Sequence, residues 1–87
     1  MIGLRLHCDD IVLRCAADFY DDGGFAGVVL GCLLSDDGRL LIEVELMEQQ
    51  HANVWAQTTR QDFWAVREVR HPVAWRRLEN GTMFVVQ

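Results

Sequence analysis

The sequence predicts a mainly β protein: a small antiparallel curled sheet or partly open barrel of about five to seven short strands. A β-rich α+β arrangement is the variant, with at most one short helix within 48–70. Three observations lead there. Turn chemistry recurs at intervals, in Asp9-Asp10, Asp21-Asp22-Gly23-Gly24, Asp36-Asp37-Gly38, His71-Pro72 and Asn80-Gly81. Asp-Gly and Asn-Gly between β-type runs are strong hairpin signals. The runs between these breaks alternate with a period of two or are apolar throughout, as strands are. Finally, the chain has only 87 residues, of which 51% are hydrophobic and 24% charged. That is a globular balance and the length of one domain, taken as 1–87.

The elements follow in order. Ile2, Leu4 and Leu6 alternate with Gly3, Arg5 and His7, and Ile11, Leu13 and Cys15 alternate with Val12, Arg14 and Ala16. These read as two strands joined across Cys8-Asp9-Asp10, although a helix over 10–20 would also align Ile11, Cys15 and Phe19. Phe25–Leu34 is apolar on both faces with Gly27 and Gly31 inside it. It reads as a central strand covered on both sides, or one that bends at its glycines. After Ser35-Asp36-Asp37-Gly38, Leu40, Ile42, Val44 and Leu46 alternate with Leu41, Glu43, Glu45 and Met47, giving a β-hairpin with one core face. The stretch 48–70 supports two readings. Thr59 with Asp62 three residues on has the form of a helix start, whereas a strand would set Trp64 and Phe63 on opposite faces. The runs 73–78 and 82–86 close the chain as a hairpin about Asn80-Gly81, and Pro72 keeps His71 out of helix.

Composition limits function. The net charge is −5, carried by 8 basic and 13 acidic residues, and every basic residue is arginine. Residues 1–48 balance at −7 (three Arg, ten acids) and residues 49–87 at +2 (five Arg, three acids). The surplus of apolar residues for so small a volume predicts a homo-oligomer, a dimer or higher. The longest apolar run is ten residues, against about 20 for a membrane-spanning helix, so no membrane association and a cytoplasmic location are expected. Three cysteines without a CxxC pair are not a disulfide framework and read as buried thiols.

Candidate sites are few. His7-Cys8-Asp9-Asp10 offers zinc-type ligands, but neighbours on a strand point to opposite faces, and the reading is a polar turn. The three Asp doublets lack the spaced ladder of a calcium loop and suit turns; neither a metal nor a cofactor is expected. No GxSxG, phosphate-cradling loop or HExxH is present, so a catalytic role has no signature and the preferred reading is a protein that is not an enzyme. The distinctive feature is the density of Arg and Trp in the C-terminal part. Trp55, Trp64, Arg67, Arg70, Trp75 and Arg76 are the expected interaction surface, because Arg and Trp anchor interfaces.

The sequence therefore predicts a non-enzymatic, self-associating binding module with an unidentified protein or small-molecule partner. One alternative is a binder of an anionic small molecule, or an enzyme with a pocket between strands or subunits, in which His51 and His71 are weak candidates for ligand binding. The other is nucleic-acid binding through 60–77, where arginine and aromatic side chains together suit stacked bases; the net negative charge argues against it.

Overall fold

A computed structural model describes residues 6–14 and 25–87. The described residues form one antiparallel sheet of seven strands that does not close on itself, and they contain no α-helix. The strands are β1 (Ile11–Arg14), β2 (Phe25–Leu34), β3 (Leu40–His51), β4 (Val54–Ala65), β5 (Val69–Arg70), β6 (Ala74–Arg77) and β7 (Thr82–Val86). Their order across the sheet is β5-β1-β2-β3-β4-β7-β6. This is the expected mainly β, partly open architecture.

Each turn answers to its local chemistry. At the β2–β3 connection the Ser35 N–H donates to Arg39 O at 2.8 Å, and Gly38 takes a φ of 84°, a left-handed backbone that glycine adopts at no steric cost. β3 and β4 meet across Ala52 and Asn53, with Asn53 at φ 66°. Asn80 (φ 54°) and Gly81 (φ 74°) turn β6 into β7, as Asn-Gly does in hairpins.

Three expectations change. The helix start at Thr59 does not form. Val54–Ala65 is a single strand, rich in the aromatic and β-branched residues that suit a pleated surface; Thr59 sits in a bulge at φ 66°. Opposite Leu46 of β3, β4 carries the three residues Thr58, Thr59 and Arg60, and the Thr58 hydroxyl donates to Leu46 O at 2.8 Å. The helical turn within 48–70 is a 3-10 turn over Val66–Glu68. Second, β1 takes β2 and β5 as its neighbours, and Leu6 and His7 lie outside any strand. Residues 7–10 do form the expected turn, with the His7 N–H bonded to the Asp10 carboxylate and the Asp10 N–H to His7 O, each at 3.0 Å. The strand candidates at 2–5 and 15–16, Cys15 and the 21–24 turn fall outside the described residues. Third, β2 is covered on both sides only along its first half. A bulge at Leu30 shifts its pairing with β3, and beyond it Leu30, Cys32, Leu33 and Leu34 are exposed. Cys8 is exposed as well, so neither of these two free thiols is buried.

The sheet has two cores, one on each face. Ile11, Leu13, Ala26, Val28, Met47, Trp55, Met83 and Val85 pack together on the first face, with Trp75 against them. Val12, Val29, Ile42, Val44, Trp64 and Val69 pack on the second, with Leu6, Leu46 and Val66 at the margin. Strands β3 and β4 contribute to both: Met47 and Trp55 near their shared turn, Ile42, Val44 and Trp64 at the other end. Among the described residues no helix covers either face, and each face of the one sheet carries its own buried cluster; the right-handed twist of long strands and their bulges lets different stretches of a sheet fold onto themselves. Gly27 belongs to the second face. A Cβ there would stand 3.0 Å from Val44 Cβ and 3.1 Å from Trp64 Cη2, so the indole lies where a side chain would otherwise be.

Candidate interaction surface

The arginine and tryptophan residues do not form one face. Trp55 and Trp64 are both buried, in different cores. Trp64 donates its indole N–H to Asp62 Oδ2 at 3.2 Å. The Arg14 guanidinium lies 5.9 Å from the ring centroid and 3.4 Å from Glu68 Oε2. Trp55 Nε1 is buried with no hydrogen-bond partner among the described residues. Trp75 is half-buried and belongs to the first core. Their apolar bulk is thus spent on the fold. The signal for this was parity: two tryptophans nine residues apart on one strand must face opposite ways, and a two-residue bulge preserves that relation.

The arginines are exposed but dispersed. Arg67 lies in the 3-10 turn, and Arg70 on β5 donates to Gln87 O at 3.0 Å. Arg76 on the edge strand β6 lies 5.9 Å from the Phe84 ring centroid. His51 is exposed where β3 ends, and His71 is half-buried between β5 and β6. Among the described residues no three His, Cys, Asp or Glu side chains are grouped as metal ligands would be, and no helix is long and apolar enough to cross a membrane.

A different apolar surface emerges at the far end of β2, β3 and β4. Leu33 is 38% exposed, Leu34 69%, Leu40 53% and Phe63 50%. The register gathers them. Leu34 lies opposite Leu40, Leu33 opposite Leu41, and Phe63 opposite Glu43, one pair along. Alternation puts Leu34 and Leu40 on the second face with Ile42, and Leu33, Leu41 and Phe63 on the first. The hairpin end is therefore apolar on both sides. Its tip is polar: the Ser35 hydroxyl and the Arg39 guanidinium both bond the Asp37 carboxylate, the latter at 2.9 Å. These bonds, the serine's foremost, hold the Asp37 carboxyl at about 2, below its ordinary 3.8.

The class this geometry defines is an open, seven-stranded antiparallel sheet with an apolar projecting hairpin. No protein-family model, curated protein or solved structure matches the chain.

Proposed function

We propose that the protein is a non-enzymatic interaction module that associates with copies of itself. The observation that carries this reading is the apolar end of the β2–β3 hairpin, where Leu33, Leu34, Leu40 and Phe63 stand in solvent. Scattered single apolar residues on a surface need no explanation, but several on both faces of one sheet end mark a candidate interaction site. These side chains belong to well-paired strands, so covering them costs little conformational entropy beyond their own rotamers.

Light scattering at about 50 and 500 mM salt, over a hundredfold range of protein concentration, tests it. Apolar association predicts a mass above that of the 10.0 kDa chain that grows with concentration and does not fall at high salt, where surface charge is screened. A monomer at every concentration overturns the reading.

A further inference from the structure

Resting on that reading, we propose that two copies join by antiparallel pairing of their β2 edges along residues 31–34, about a two-fold axis at Leu33, so that two sheets become one. Among the described residues, the outer edge of β2 is occupied only in its first half. β1 pairs with it as far as Val28, Asp9 and Asp10 bond Val29, and the Cys8 thiol reaches Leu30 O at 3.5 Å. Beyond Leu30 no described strand lies alongside.

The direction of the free groups follows from the hairpin ladder. Ser35 bonds across to Arg39, so residues 33 and 31 also turn their N–H and C=O toward β3, and Cys32 and Leu34 turn theirs outward. Two outward residues spaced by two are self-complementary. In an antiparallel copy Cys32 lies opposite Leu34 of the second molecule, Leu34 opposite its Cys32, and Leu33 opposite its own counterpart. Each chain then satisfies the outward N–H and C=O of both residues.

Charge distinguishes this edge from the other. Residues 31–34 carry no charged side chain, whereas the register brings Asp36 and Asp37 of each copy toward Asp9 and Asp10 of the other, so the dimer is expected to tighten as salt screens that repulsion. The opposite edge, β6, exposes Arg76 and Arg77, the charged protection that keeps an edge strand from pairing. β5 offers only two residues. Of the exposed apolar side chains, Leu33 and Leu34 stand on the paired strand and together expose about one whole side chain, on the order of 200 Å² per copy. That is below the ~800 Å² per partner of a standard interface. Main-chain bonds supply the rest, as in strand addition, and the dimer is a concentration-dependent one.

Crosslinking tests the register. In a Cys8→Ser, Cys15→Ser, Cys32→Ser background, Leu33→Cys sets two thiols at a non-hydrogen-bonded pair with Cα atoms about 4.5 Å apart, within disulfide range. Mild oxidation is expected to yield at least tenfold more covalent dimer from this variant than from Val73→Cys, an exposed position beside β6, in the same background. The companion variant Leu33→Lys, with an unchanged far-ultraviolet circular dichroism spectrum, is expected to be monomeric where the unmodified chain is dimeric. Crosslinking no better than the control, together with a dimeric Leu33→Lys, overturns the edge pairing and leaves self-association standing. A monomeric unmodified chain overturns both.

Discussion

Replacing Gly27 with alanine probes the packing that joins the sheet's middle to its second core. The added Cβ meets Val44 Cβ at 3.0 Å and the Trp64 ring at 3.1 and 3.2 Å. Neither neighbour has room to withdraw: Val44 is fully buried, Trp64 nearly so, and a Cβ is fixed to its backbone. Overfilling a packed core costs about 1–3 kcal/mol. Losing glycine's freedom in the unfolded chain returns about 0.4–1 kcal/mol. The net is a destabilisation of about 1–2 kcal/mol. For a domain of this size, that lowers Tm by roughly 5–15 °C. Urea and thermal unfolding followed by Trp fluorescence read it directly, with the midpoint falling at constant slope. Two of the three close contacts are with the outer ring of the indole, so Gly27→Ala should cost less in a Trp64→Phe background, where those atoms are gone and the Val44 contact remains. A Gly27→Ala protein as stable as the parent, or a cost unchanged by Trp64→Phe, would refute the packing argument.

Two further outcomes follow from the same structure. Trp64→Phe removes an N–H bond to a carboxylate, worth about 1.5–3 kcal/mol, and weakens the stacking of Arg14. Trp55→Phe removes a buried N–H that has no partner among the described residues. The loss of stability should therefore be larger at 64 than at 55 by about 2 kcal/mol, and equal losses in urea titrations would contradict the assignment of partners. Asp37 is ionised more readily in the folded chain, at about 2 against 3.8. Its contribution is therefore present above pH 3.8 and is lost as pH falls toward 2. A side-chain carboxyl NMR titration should find the low value in the parent and a return toward 3.8 in Ser35→Ala; an Asp37 that titrates near 3.8 in the parent argues against the tip geometry.

Much of the fold was legible because its determinants are local. Turn residues set the hairpins about Gly38 and Asn80-Gly81, and the alternation from Leu40 to Met47 set one core face, since both depend on neighbours in sequence. The 48–70 segment was not legible. The cap-like Thr59 and the aromatic run about Trp64 gave competing local signals, and cross-strand pairing of Val54–Ala65 with β3 decided between them. The burial of Trp55 and Trp64 was not legible for a related reason. Arg and Trp density measures what residues can do at an interface, whereas burial depends on which sheet face curls inward, and here both do.

By itself, then, the sequence determined a mainly β chain with the turns at 7–10, at Gly38 and at Asn80-Gly81 in place, because hydrogen bonding and steric preference at a turn need only a few adjacent residues. Tertiary structure alone decided which apolar residues stay in solvent. Within Phe25–Leu34, the run looks equally apolar from end to end, yet a four-residue β1 covers only its first half. That leaves Leu33 and Leu34 exposed, because burial is a relation between strands distant in sequence and not a property of either strand.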